Sequence, residues 1–235
     1  MTAYDAAFGR CAEQAGIDIL LVGDSVGTVV LGYDSTVPVT LDDMIHHTAA
    51  VARGAKHAHI IGDMPFGSYQ TSDSEAVRSA SRLIQEGRAS SIKLEGGARA
   101  ADRIQAIVGA GIPVMGHIGI LPQTAGLGPG FRLRTNRERL LDDARAVQDA
   151  GAYAVVLEVV APEIVAEITA AVKIPTIGIG SGPSCDGQVL VLYDMLGLYE
   201  DPPSFVKQYA DFGTQTVRAL TQFASDVASR KYPAS

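Results

Sequence analysis

Residues 17–24 read IDILLVGD, in which a run of aliphatic residues after Asp18 leads through Gly23 to a closing acid. A strand with so many adjacent apolar side chains is buried on both faces, as strands are in a parallel sheet covered by helices. The form recurs along the chain: HIIGD ends at Asp63, IKLE at Glu95, VMGH at His117 and VVLE at Glu158, and the short TAYD near the start ends at Asp5. This spacing predicts eight strands, over residues 2–5, 17–24, 59–63, 91–95, 113–119, 154–158, 175–180 and 189–193. Segments of helical period fill the intervals. Thr40 with Asp43 and Ser72 with Glu75 have capping-box spacing, Pro162 before Glu163 suits a first turn, and Gly16, Gly111 and Gly151 stand where helices stop. Strands alternating with helices over 235 residues predict an α/β protein, a single (β/α)8 TIM barrel over residues 1–235 with its active site at the C-terminal ends of the strands.

Composition agrees. Hydrophobic residues make up 47% and charged residues 19%, which describes a compact domain with a large core rather than a disordered chain. A net charge of −7 argues against nucleic acid and anionic membrane as partners, since both reward clustered Lys and Arg. The opening MTAYDAAFGR is not a basic segment followed by an apolar one, and no apolar run approaches the roughly 18 residues of a membrane span, so a cytoplasmic location is expected. Cys11 and Cys185 are too few for a disulfide framework and have no metal spacing; they read as packing thiols.

The strand ends carry the chemistry. One acid after an apolar run is often a helix cap. Several in succession are better explained by the single mouth on which all strand ends of a barrel open. Asp24, Asp63 and Glu95 offer hard carboxylate oxygens with one His and no Cys nearby, which favours Mg²⁺ over Zn²⁺. Lys93 lies two residues before Glu95, on the same side of its strand, where it would neutralise a substrate carboxylate or pair with Glu95 or Asp63. Glu158 is the candidate general base. His46 and His47 fall within a helix, and His57 and His59 at a strand start, so these read as structural. The run IGIGSGPS at 177–184 suits a phosphate site or simply a tight turn. Residues 123–139, QTAGLGPGFRLRTNRER, read as a mobile loop over one end of the barrel.

The segments TAYD (2–5), LLVGDS (20–25), STVPVT (35–40), GDMPFGSY (62–69), IKLEGG (92–97), GHIGILPQ (116–123), VVLE (155–158), IGIGSGPSCDGQVLV (177–191) and FVKQYAD (205–211) together resemble the ketopantoate hydroxymethyltransferase family, of the phosphoenolpyruvate mutase/isocitrate lyase barrel superfamily. The resemblance implies that Asp24 and Asp63 hold Mg²⁺ with Glu95 as a further ligand, that Asp24, Ser25, Asp63, Lys93 and His117 line the 2-oxo acid site, and that Glu158 removes the C3 proton. The implied reaction adds a one-carbon unit from 5,10-methylenetetrahydrofolate to the Mg²⁺-stabilised enolate of 3-methyl-2-oxobutanoate, giving 2-dehydropantoate for pantothenate biosynthesis. It also implies a homo-oligomer, a decamer. The chain departs from the family pattern in the loop after LPQ, which reads TAGLGPGFRLRTN and is a few residues shorter, in the displaced Pro after Glu158, and in lacking a lead-in of about twenty residues before TAYD. Two other readings stay open. A lyase or mutase of the same superfamily would be favoured by a reactive Cys in a K-K-C-G-H segment, which this sequence lacks; a catalytically lapsed paralogue with a structural or binding role would have no physical reason to keep its carboxylates together.

Overall fold

The computed structural model describes residues 1–125, 132–199 and 201–233. The elements in order are α1 (Ala6–Gln14), β1 (Ile19–Val22), α2 (Val26–Val29), α3 (Leu41–Gly54), β2 (His59–Asp63), α4 (Asp73–Gln85), β3 (Ser91–Lys93), a 3₁₀ turn (Gly97–Ala100), α5 (Ala101–Gly109), β4 (Val114–Gly119), α6 (Pro122–Ala125), α7 (Arg137–Asp149), β5 (Ala154–Glu158), α8 (Pro162–Ala171), β6 (Thr176–Ile179), β7 (Gly187–Gln188), α9 (Leu192–Met195) and α10 (Phe212–Ala228). The caps read from sequence form: Thr40 and Asp43 make both halves of a capping box on α3, and Ser72 accepts from the Glu75 amide at the start of α4. Pro162 occupies the first turn of α8, where its missing N–H leaves nothing unpaired.

The strands form one parallel sheet in the order β1 to β7. This is the expected α/β arrangement with two differences. Thr2 makes a single parallel bridge to Leu21, with Ala3 N donating to Leu21 O and Leu21 N to Met1 O, so the chain start runs beside β1 without becoming a full strand. Among the described residues nothing pairs it with β7. The strand expected at 189–193 gives way to α9, because Leu192, Met195 and Leu196 are spaced for a helical turn rather than for period-two alternation. The last strand is instead the short β7.

Alternation within the strands sorts the side chains. Ile61, Met115, Ala154 and Val156 pack together on one face, with Leu21, Ile177 and Ile179 against them. The opposite face meets the helices so closely that a Cβ at Gly62 would lie 3.2 Å from Leu83 of α4, and one at Gly116 would lie 2.3 Å from Val147 of α7. Asp63, Lys93, His117 and Glu158 therefore continue the columns of the Ile61 face toward the carboxyl ends of the strands.

Residues Met1–Val189 form one compact unit and Leu190–Ser235 a second. Within the second, Asp211 caps α10, a 17-residue helix with no buried residue, on which Val217, Leu220, Phe223 and Val227 are exposed. No helix among the described residues is long and apolar enough to cross a membrane.

Candidate active site

Register assembles the charged end of the sheet. Asp63 on β2 stands directly opposite Lys93 on β3, and the Lys93 ammonium donates to Asp63 Oδ1 at 2.6 Å. Both side chains are nearly sealed from solvent, at 5% and 2% exposure. Asp24 follows Gly23 at the end of β1, and its amide donates to Asp63 Oδ2 at 3.2 Å. Gly23 leaves room here: a Cβ there would lie 2.9 Å from Ser25 Oγ. Ser25 in turn shares a hydrogen bond of 2.8 Å with the Tyr4 hydroxyl. Glu95 lies just beyond β3, buried. His117 is buried within β4, with Nδ1 3.7 Å from Glu95 Oε1 and Nε2 3.2 Å from Glu158 Oε2 at the end of β5. Neither approach has hydrogen-bond alignment, so Glu95 Oε1 and both ring nitrogens of His117 are buried without a hydrogen-bond partner among the described residues.

This crowding has an electrostatic consequence. Burial, reinforced by the Asp63 charge, pushes the Asp24 carboxyl up to about 7, with Lys93 and the Gln123 amide working against the rise. Burial also raises Glu95 well above the usual carboxylate range, opposed by Lys93. Burial alone would lower Lys93, but Asp63, Glu95 and Asp24 overcome it and hold the ammonium charged.

The backbone next to Glu158 is strained. Val159 has φ of +50°, a left-handed conformation that a β-branched residue rarely adopts. It is held there by Val159 N donating to Ile179 O and by Arg134 N donating to Val159 O, both at 2.9 Å, and the next amide, of Val160, donates to Ser181 Oγ. A kink of this kind costs about 1–3 kcal/mol and persists only where neighbours enforce it. Here it turns the chain away immediately after the carboxylate.

Sequence reading brought Asp24, Ser25, Asp63, Lys93, Glu95, His117 and Glu158 to one end of the sheet, and they lie there. Asp5 does not join them: it caps α1 by accepting from Phe8 N. Ser181, in the glycine-rich run, is engaged with Leu157 O and Val160 N. Gln123 and Tyr69 were missed. Gln123, expected in a mobile loop, is 1% exposed in α6. Its Nε2 donates to Asp24 Oδ2 at 3.0 Å and Met64 O at 2.9 Å, its Oε1 accepts from the Tyr69 hydroxyl at 2.8 Å, and its amide donates to Glu95 Oε2 at 3.3 Å. A four-residue helix opened by a proline has no periodicity by which sequence could find it. Arg137, at the other end of the same expected loop, opens α7. Residues 126–131, the middle of that loop, lie outside the described residues.

As a metal donor set the cluster offers carboxylate oxygens and the unpartnered Glu95 Oε1. No three His, Cys, Asp or Glu side chains among the described residues converge into a metal cage. The set therefore fits a small hard cation held by one or two carboxylates with water and substrate completing its shell, the usual mode of Mg²⁺, and does not fit Zn²⁺.

Known proteins share this fold and, more closely, this sequence. Two solved structures with the same fold are a phosphoenolpyruvate phosphomutase from Streptomyces platensis subsp. rosaceus (TM-score 0.64, 14% identity, 97% of this chain and 82% of the other) and a phosphonopyruvate hydrolase complexed with oxalate and Mg²⁺ (TM-score 0.62, 14% identity, 100% and 84%). Much nearer in sequence are proteins named 3-methyl-2-oxobutanoate hydroxymethyltransferase. Those of Chloroflexus aurantiacus (54% identical over 99% of this chain and 84% of the relative), Ignicoccus hospitalis (52%, 99% and 90%) and Heliobacterium modesticaldum (51%, 99% and 86%) align almost end to end. The family model described as ketopantoate hydroxymethyltransferase matches residues 1–235. With that match along the whole chain, and half or more of the residues shared with relatives of similar length, the chain belongs to the ketopantoate hydroxymethyltransferase family.

Proposed function

We propose that this enzyme deprotonates 3-methyl-2-oxobutanoate at C3 and transfers a hydroxymethyl group to it from 5,10-methylenetetrahydrofolate, giving 2-dehydropantoate and tetrahydrofolate. The observation that carries the reading is the buried cluster of Asp24, Asp63, Lys93 and Glu95 beside His117 and Glu158, at one end of the sheet. Asp24 and Asp63 would hold a divalent cation, with Glu95 next to it; when bound, the ion supplies positive charge to the substrate's keto oxygen as the enolate develops. Lys93 faces the same space and binds the substrate carboxylate, and Ser25 and His117 position the acid beside it. Water cleaves both C–N bonds of the methylene bridge, so that tetrahydrofolate leaves with its two nitrogens protonated and the one-carbon unit is freed at the aldehyde level. Glu158 takes the C3 proton, the resulting carbanion adds to that carbon, and the oxygen from water becomes the hydroxyl as it takes the proton back. The surrounding architecture is read as the eight-stranded barrel of the superfamily, with the chain start beside β1 in the position of a strand. The exposed apolar stripe of α10 supports assembly into a homo-oligomer, since such stripes on surface helices mark contacts between chains.

The decisive experiment is solvent exchange of the C3 proton, followed by NMR in D₂O with Mg²⁺ and no one-carbon donor. Glu158→Gln keeps the groups that bind the acid but cannot accept its proton, so exchange falls roughly 10²–10⁴-fold while calorimetry still detects substrate binding. Exchange at the wild-type rate in the variant removes Glu158 from the role and passes it to His117.

A further inference from the structure

Two cavities within residues 1–189 join into one trough. The inner, 230 Å³, is lined by Glu95, Gln123 and Tyr69 of the carboxylate cluster; the outer, 630 Å³, extends to the first turn of α7. Gly96, Arg99, Leu121 and Thr124 line both. The outer cavity is lined on one side by the buried apolar Ile118, Ala125 and Leu140 with Leu133, 52% exposed, and on the other by the polar Thr135, Asn136 and Asp143. Its rim is cationic. Arg99, Arg134 and Arg139 border the outer cavity, and Arg103 the inner one, in a protein whose net charge is −7. Arg103 is engaged by Asp73 and the Tyr69 carbonyl. Arg99 has no hydrogen bond or ion pair among the described residues, and Arg139 has only a loose approach of 3.7 Å to Asp143, whose other oxygen accepts from the Ala98 amide.

A five-carbon 2-oxo acid neither fills this trough nor carries a second charge for its outer end. Apolar side chains leading to Arg99 and to the loosely paired Arg139 fit a longer ligand with a flat, largely apolar body and a carboxylate tail. We propose that the trough seats the folate donor, its ring system at the Glu95 end where the one-carbon unit must reach the enolate, and its glutamate tail on Arg99 and Arg139. This rests on the folate reading of the function and adds where, and by which residues, the donor is held. It follows that a donor with several glutamates binds more tightly than one with a single glutamate, because each added carboxylate meets the cationic rim.

The test measures tetrahydrofolate binding by calorimetry, as mono- and triglutamate, to the wild type and to Arg99→Ala and Arg139→Ala. Both side chains are exposed, so neither substitution disturbs the core. Each weakens binding about tenfold, the loss of one charge-assisted pair, and Arg139→Ala reduces the preference for the triglutamate; Lys at either position restores much of the affinity. In turnover, KM for methylenetetrahydrofolate rises and KM for the 2-oxo acid does not. Unchanged tetrahydrofolate binding in both alanine variants overturns the trough assignment and leaves the folate reading intact. A wild type that exchanges the C3 proton but neither binds tetrahydrofolate nor turns over with its methylene derivative overturns the folate reading, and the trough's occupant with it.

Discussion

At the amino ends of β2, β3 and β5, His59, Ser91 and Tyr153 form a chain of hydrogen bonds: the His59 ring meets Ser91 Oγ at 2.8 Å, Ser91 meets the Tyr153 hydroxyl at 2.9 Å, and the two rings pack edge to face. At the carboxyl ends of the same strands stand Asp63, Lys93 and Glu158, joined by Asp24, Glu95 and His117 from neighbouring segments. Both ends are polar, the first half-buried and the second mostly sealed from water, and they are built to opposite rules. In the first, two hydroxyls and an imidazole hydrogen-bond one another and link the starts of three strands. The second gathers like charges around one ammonium and, among the described residues, leaves Glu95 Oε1 and the His117 nitrogens unpartnered. Buried groups in that state destabilise a fold unless a ligand completes them. The same strands are thus linked by neutral hydrogen bonds at one end and carry buried charges with unmet hydrogen-bonding capacity at the other.

The largest expected effect that would sharpen this contrast comes from Lys93→Met. Removing the cation leaves Asp63, Asp24 and Glu95 facing each other, and breaking a buried pair costs about 3–5 kcal/mol. The pairing to Asp63 ties Lys93 to stability, and the proposed substrate contact adds the expectation that KM for the 2-oxo acid rises together with a loss of melting temperature. Mg²⁺ returns part of that stability by replacing the missing charge. A variant that melts like the wild type in EDTA would show that the cluster carries no such tension.

A smaller effect distinguishes the two ends by the sign of their pH dependence. Asp24 has its folded value raised to about 7 by burial and Asp63, so as pH rises from about 4 to 7 the unfolded chain releases a proton that the folded chain keeps. Metal-free stability therefore falls with rising pH over that window. His59 is shifted down by burial, so its contribution is lost as pH falls below the usual histidine range. Melting curves in EDTA between pH 4 and 8 should lose the first slope in Asp24→Asn and the second in His59→Gln. If Asp24→Asn keeps the wild-type slope, the raised Asp24 is not its source.

The smallest effect is at the amino end. Ser91→Ala removes the shared hydroxyl between His59 and Tyr153 and should destabilise by about 1 kcal/mol while leaving kcat and KM unaltered. A change in substrate KM would break the division of labour between the two ends.

The sequence by itself determined the parallel α/β plan, because strands covered on both faces must be continuously apolar, and it determined which polar residues end those strands, because an acid after such a run needs a reason. It also carried the family, through motifs spread over nearly the whole chain. Only the tertiary structure decided that Asp5 is a helix cap while Asp24 and Asp63 touch, that Lys93 lies opposite Asp63 in register, and that Gln123 ties α6 to both Asp24 and Glu95. It also decided that residues 189–193 lead into a helix instead of an eighth strand. The physical reason is the range of the interactions. Strand burial and capping are written in neighbouring residues, whereas a contact such as that of Gln123 with Asp24 joins positions 99 apart and exists only once the sheet has set its register.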